Sequence, residues 1–125
     1  MIPKPYYELP GLNNLYLEDS YVLNINEKNN YIEFLIEAVL IEEHPLHHPP
    51  SPQEQYCYQK AKICFFNTRQ IIWLEKTNVS YKDPDNEIDH GNIDVFYQFD
   101  NYFYLEGDWS QLKIVESLMS VEILN

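Results

Sequence analysis

The sequence predicts an all-β or β-dominated α+β fold, an antiparallel sandwich or partly open barrel of about seven or eight strands. Three observations lead to this prediction. Apolar residues alternate with polar ones along several segments, Tyr accounts for 11 of the 125 residues, and turn signals separate the segments. Tyr favours strands because its ring packs on a pleated surface while its hydroxyl still reaches water. A chain of this length fits a single domain, residues 1–125.

Residues 1–14 are predicted as an irregular N-terminal arm, because prolines remove backbone donors and fix φ. Three leucines are expected to hold this arm against the body: Leu9, Leu12 and Leu15. The first strand covers 21–26, where alternation predicts that Tyr21, Leu23 and Ile25 share one face.

The longest apolar run, Tyr31 to Ile41, predicts a strand with one buried side. That side is expected to carry Ile32, Phe34, Ile36, Ala38 and Leu40. A helix over 31–43 is the alternative, but the β-branched residues and the two-residue period favour a strand.

Residues 44–55 are predicted to form a Pro/His-rich loop, since four prolines exclude a helix or a central strand there. A loop of this length is uncommon without a role in binding. Further strands are predicted at 56–66, 71–75, 93–99, 102–106 and 109–116, with an acidic loop at 81–91 and a last strand through Val121 and Ile123.

The net charge of −12, from 20 acidic and 8 basic residues, predicts the kind of partner. An acidic surface repels nucleic acids and anionic membranes, and it attracts basic proteins. Solubility is the alternative explanation for this charge. Because the N-terminus has no apolar h-region and no run reaches the ~20 apolar residues of a membrane helix, we expect a cytoplasmic protein. Its Cys57 and Cys64 are then expected to stay reduced.

Four histidines are candidate metal ligands: His44, His47, His48 and His90. A site would join one of the first three to His90 and to Asp89 or Asp94, since imidazole and carboxylate groups bind zinc, nickel or copper. Their spacing matches no metal motif. We therefore expect exposed loop histidines and no cofactor.

The acidic loop and its flanks supply the candidate contacts to a basic partner. These are Asp83, Asp85, Glu87, Asp89, Asp94, Tyr97 and Trp109. The carboxylates would steer a cationic surface, and the two aromatic side chains would anchor it. Calcium is an alternative for the alternating carboxylates, but an EF-hand loop needs Gly and Glu where Ile88 and Asp94 stand. A solvated, mutually repelling turn is the simplest interpretation of the loop itself.

No motif of a standard enzyme is present, so catalysis is not expected. The chain lacks a G-x-S-x-G elbow, a G-x-G-x-x-G turn and a P-loop. Its tyrosines exceed the needs of a small core, although most are expected to cover that core. An exposed Tyr cluster ringed by Asp and Glu would indicate a binding surface instead.

Several segments resemble a group of small uncharacterised bacterial acidic β-domain proteins. The segments are Tyr16–Leu23, Glu43–Pro45, His48–Pro50, Gln55–Tyr58, Gly91–Asp94 and Leu105–Trp109. That resemblance implies no activity. In size and charge, without a shared motif, the chain also resembles the immunity proteins of bacterial toxin systems.

The second resemblance implies a non-enzymatic protein-binding domain, an immunity-type inhibitor that masks a basic toxin surface. Two alternatives stand beside it. One is a ligand- or metal-binding β module closed by the 44–55 loop, and the other is a structural or subunit domain that pairs through a strand edge.

Overall fold

The computed structural model of the chain describes residues 2–50, 52–76, 81–82 and 88–124. A short 3-10 helix, Tyr6–Glu8, follows the first strand. In chain order the strands are β1 (Lys4–Pro5), β2 (Leu15–Lys28), β3 (Tyr31–Leu40), β4 (Cys57–Phe66), β5 (Gln70–Lys76), β6 (Tyr81–Lys82), β7 (Ile88–Asp89), β8 (Ile93–Gln98), β9 (Tyr102–Gly107), β10 (Ser110–Val115) and β11 (Leu118–Ile123).

The strands form two antiparallel sheets that make a β-sandwich. One sheet has the order β1-β8-β9-β10-β5, the other has the order β11-β4-β3-β2, and β6 pairs separately with β7. The sheets do not close into a barrel. The all-β sandwich prediction is therefore confirmed, and a helix over 31–43 is wrong because β3 pairs with strands on both sides.

The core lies between the two sheets and follows the predicted alternation. Phe34 of β3 and Phe65 of β4 are fully buried, as are Leu105 and Leu112 from the facing sheet. The five apolar side chains predicted to face inward from β3 are all buried. The last strand is also confirmed, since β11 pairs with β4 and Val121 packs against the core.

The N-terminal arm is more regular than the sequence predicts. Its three leucines are buried, as expected. However, Lys4 and Pro5 pair with Gln98 and Tyr97 at the edge of the five-stranded sheet. Proline is tolerated at such an edge, because its missing N–H need not serve a second neighbour.

The predicted face of the first strand is wrong at Tyr21, because β2 contains irregularities that shift its alternation. Tyr16 pairs with Val39 and Tyr21 with Glu37, so residues 17–20 stand opposite a single residue of β3. The register shifts again between Val22 and Asn24. As a result Val22 is fully buried, whereas Tyr21 turns outward.

The sandwich has two different ends. The turn end carries the short connections at 29–30, 67–69, 100–101 and 116–117, which hydrogen bonds link to one another. The bulge end carries the 17–20 bulge of β2, residues 91–94 and 106–108, and the long loop that follows β3. No helix among the residues described above has the length and apolar character needed to cross a membrane.

Candidate functional site

The bulge of β2 is held by a buried serine. The Ser20 hydroxyl accepts a hydrogen bond from the Val39 amide at 2.9 Å and donates one to the Tyr16 carbonyl at 2.7 Å. These bonds replace ladder contacts that the inserted residues disrupt. Because Leu17 and Ser20 are buried on either side, Glu18 and Asp19 sit at the crest of the bulge.

Asn92 fastens this bulge to the other sheet. Its side-chain amide donates to the Ser20 carbonyl at 2.7 Å, and its own carbonyl accepts a hydrogen bond from the Trp109 indole at 3.0 Å. Val22 exchanges backbone hydrogen bonds with the segment before β8, donating to Gly91 at 2.8 Å and accepting from His90 at 2.7 Å. The edge of β2 is thus tied to the start of β8.

Two glycines allow this close packing. A Cβ atom on Gly107 would collide with the Asn92 carbonyl oxygen and the Trp109 indole nitrogen. Gly91 has a φ of 91°, and a Cβ there would lie 2.5 Å from the Asp108 carboxylate. A larger residue at either position would push apart the groups that shape the bulge end.

Four carboxylates, which we call the acidic surface, gather at this end: Glu18, Asp94, Glu106 and Asp108. The pKa of Asp94 is raised by partial burial and then by the charges of Asp108, Glu106 and Glu18. The fold therefore keeps like charges close enough to disfavour ionisation of Asp94.

Tyrosine hydroxyls donate hydrogen bonds to two of these carboxylates. Tyr104 donates to Glu106 at 2.7 Å, and this bond raises the pKa of Tyr104 to about 12. Tyr6 donates to Glu18, and burial with this bond raises the pKa of Tyr6. Both hydroxyls stay protonated at neutral pH, so they bind the carboxylates without neutralising their charge.

The structure places the residues predicted to contact a partner in different environments. Asp94 is exposed, and Tyr97 is 39% exposed opposite Tyr104 on the outer face of its sheet. Trp109 is only 3% exposed, because its ring packs against Phe34 and Trp73. The prediction that Trp109 is a surface anchor is therefore wrong, because Trp109 is a core residue. The remaining predicted contacts, Asp83, Asp85, Glu87 and the side chain of Asp89, lie outside the described residues.

A second surface at the bulge end is lined by tyrosines. A groove of about 460 Å³ lies between the loop after β3 and the neighbouring ends of β2, β3 and β4. We call it the tyrosine groove, and its lining includes Tyr16, Val39, Glu42, Pro49, Tyr56 and Cys57. Beside it, Tyr56 donates a hydrogen bond to Asp19 at 2.8 Å.

The rings next to the groove form a cluster. Tyr56 and Tyr58 meet edge to face with centroids 6.1 Å apart, and Tyr58 lies 6.0 Å from Tyr21. The bond to Asp19 raises the pKa of Tyr56, whereas burial and then a bond to Tyr21 raise that of Tyr58. The cluster matches the expected exposed Tyr cluster ringed by Asp and Glu only in part, because Tyr21 is exposed whereas Tyr56 and Tyr58 are partly buried, and Asp19 is the carboxylate bonded to it.

Sequence reasoning missed Glu18, Glu106 and Asp108 of the acidic surface, and also Tyr16 and Asp19. The signal for Glu18 and Asp19 is the run Glu18-Asp19-Ser20, where three polar residues interrupt an apolar alternation. Such an interruption indicates a bulge, although it does not indicate which carboxylate points to which surface.

The predicted metal ligands are placed as follows. His44 Nδ1 accepts a hydrogen bond from the Leu46 amide at 3.0 Å, and burial followed by the charge of His47 lowers the His44 pKa. His48 Nδ1 lies 3.1 Å from the Pro49 carbonyl, and His90 contributes its backbone amide to Val22. No three His, Cys, Asp or Glu residues in the described part of the chain are grouped to hold a metal ion.

Comparison of the chain with protein-family models, curated proteins and solved structures gave no match in any of the three. The resemblance to small bacterial acidic β domains and to immunity proteins therefore stays a prediction.

Proposed function

We propose that the chain is a non-enzymatic protein-binding domain, and more specifically an immunity-type inhibitor that covers a basic site on a toxin. The observation that carries this proposal is the acidic surface. Partial burial and then the charges of Asp108, Glu106 and Glu18 raise the pKa of Asp94, so the three neighbouring charges oppose its ionisation in the free protein. A cationic partner would relieve this repulsion on binding.

The proposal gives charged and aromatic groups different roles. The acidic surface speeds the encounter, since complementary charge raises association rates by about 10- to 1,000-fold at low salt. Exposed tyrosines then provide contact area at low entropic cost. We assign this contact area to the exposed side chains of Tyr16 and Tyr21 on β2, and we keep Tyr97, which is exposed on the other sheet, as a separate proposed contact.

A reducing cytoplasm is part of the proposal. Cys57 and Cys64 are free thiols, which agrees with such a compartment. The bound toxin would then be neutralised inside the cell that makes both proteins.

Matched charge variants test the proposal. The bulge-end variant carries Asp94→Asn, Glu106→Gln and Asp108→Asn, and the turn-end variant carries Glu27→Gln, Asp100→Asn and Glu116→Gln. Both change the net charge equally. The wild-type chain is used to capture its partner from native lysate, and association rates are then measured by stopped flow at about 20 and 300 mM salt.

We expect the wild-type rate to fall about tenfold or more between these salt concentrations, and the bulge-end variant to associate about tenfold more slowly at low salt. The turn-end variant should stay within about twofold of wild type. Equal rates at both salt concentrations, or equal losses in the two variants, would reject the proposal.

A further inference from the structure

We infer that the tyrosine groove binds an arginine side chain of the partner, with the guanidinium against the free acceptor positions of Asp19 and beside the Tyr56 ring, and the alkyl stem along Tyr16 and Pro49. The inference rests on the proposed function, because it names the residue that anchors the basic partner. It concerns a different surface from the acidic one, so the two are tested separately.

The carboxylate of Asp19 is prepared to accept such a ligand. The bulge presents it half-buried beside the groove, where its Oδ2 accepts the Tyr56 hydroxyl at 2.8 Å. Within the described part of the chain, this is the one side-chain hydrogen bond that Asp19 makes. A carboxylate offers about four acceptor positions, so capacity remains for a guanidinium fork.

The aromatic rings favour a cation at the same place. The centroids of Tyr56 and Tyr58 lie 6.1 Å apart with their planes at 87°, and Tyr16 is 39% exposed. The face of such a ring attracts a cation within about 6 Å of its centroid. The protein already makes this contact at its other end, where the Lys113 ammonium lies 4.7 Å from the Tyr102 centroid.

The remaining lining matches a side chain that is apolar along its length and cationic at its tip. Glu42 adds a second carboxylate, and His47 and Gln55 are the other polar residues of the lining. The rest of the lining is apolar and consists of Val39, Leu40, Ile41, Pro49, Pro50 and Cys57. Arginine fits better than lysine, because its planar fork pairs with a carboxylate through two hydrogen bonds and also stacks on tyrosine.

The test is an NMR titration of the full chain with acetyl-arginine amide. Acetyl-citrulline amide serves as the control ligand, since it has nearly the same shape without the charge. We expect saturable shifts at Tyr16, Val39 and Tyr56 with a dissociation constant of about 1–10 mM, and no saturation with citrulline.

Protein variants locate the site. Asp19→Asn should weaken arginine binding about three- to tenfold, and Tyr16→Leu, which removes an exposed ring, should weaken it by a similar factor. Glu116→Gln at the turn end should leave it unchanged. Equal binding of citrulline, or unchanged binding in both groove variants, overturns the inference.

The outcomes separate this inference from the proposed function. If arginine fails to bind while partner association stays sensitive to salt and to the bulge-end variant, the groove assignment alone is wrong. If arginine binds as predicted while the association rate with the partner is the same at both salt concentrations, the groove assignment stands and the inhibitor proposal fails.

Discussion

The turn end and the bulge end connect the same two sheets by different means. At the turn end the chain reverses within a few residues, helped by positive φ at Asn30, Asn67 and Glu116. Backbone hydrogen bonds then join neighbouring turns, from Thr68 to Asn30 at 3.1 Å and from Glu116 to Asn101 at 2.8 Å. At the bulge end the chain inserts residues 17–20 and the long loop after β3, and the buried Ser20 hydroxyl holds the bulge. Only the connection from β9 to β10, at 108–109, resembles the short turns of the other end among the described connections there.

The charges at the two ends also differ. The turn end has one ion pair and one cation–π contact, with Arg69 3.1 Å from Glu116 and the Lys113 ammonium above the Tyr102 ring. The bulge end gathers carboxylates whose charges oppose one another around Asp94. The turn end therefore has contacts that stabilise the fold, whereas the bulge end keeps like charges together, which stability alone would not favour. This contrast is the reason to place binding at the bulge end.

Replacement of Gly107 by alanine is expected to have the largest effect on the free energy of unfolding. A Cβ there meets backbone and the Trp109 indole, so the Asn92–Trp109 bond must break or the strands must shift. We expect a loss of about 3 kcal/mol in the free energy of unfolding, measured by urea denaturation. The turn-end control, Asn67→Gly, should change it by less than about 1 kcal/mol, because glycine adopts the φ of 52° readily. Equal losses at the two positions would remove the structural contrast between the ends.

A smaller loss is expected for Ser20→Ala. The Val39 amide would lose its buried acceptor, which costs about 1–3 kcal/mol in unfolding free energy. Exposed Ser120 on β11 is the matched control, and Ser120→Ala should change stability by less than about 0.5 kcal/mol. If the two alanine variants unfold at the same urea concentration, the bulge does not depend on the Ser20 hydroxyl.

The smallest effect concerns the acidic surface and depends on pH. Because the pKa of Asp94 is raised in the folded state, the protonated form stabilises folding, and this contribution is lost as pH rises through the folded pKa. Asp94→Asn should therefore melt at a slightly higher temperature than wild type at pH 7.

The same difference should vanish near pH 3, where the wild-type carboxyl is protonated in both states. Asp100→Asn at the turn end removes the same charge outside the acidic surface and is measured at the same two pH values as the control. A variant less stable than wild type at pH 7, or a gain that persists at low pH, would contradict the repulsion around Asp94.

The sequence predicts the sandwich well where each residue faces one partner across the sheet. The run from Tyr31 to Leu40 is such a case, because its period of two holds from Tyr31 to Ala38 and ends only where the last three residues of β3 are all buried. Alternation fails in β2, since a bulge resets the count and turns Tyr21 outward.

The candidate site was harder to predict because its groups meet through long-range contacts. The Ser20 side chain is buried, and its hydroxyl is hydrogen-bonded to the Tyr16 carbonyl and to the amide of Val39 on the next strand. Trp109 looked like a surface anchor because Trp is common at interfaces, yet its indole binds the Asn92 carbonyl inside the fold. The hydrogen bonds from Val39 to Ser20 and from Trp109 to Asn92 join distant parts of the sequence, so local spacing alone cannot predict them.

The most direct test of binding at the bulge end is hydroxyl-radical footprinting of the chain, free and in complex with its captured partner. The account predicts that Tyr16 and Tyr21, which lie on either side of the 17–20 bulge, become protected from oxidation in the complex. Leu118, which is 54% exposed near the turn end, should be oxidised equally in both samples. Protection of Leu118 with unchanged oxidation of the two tyrosines would contradict the account.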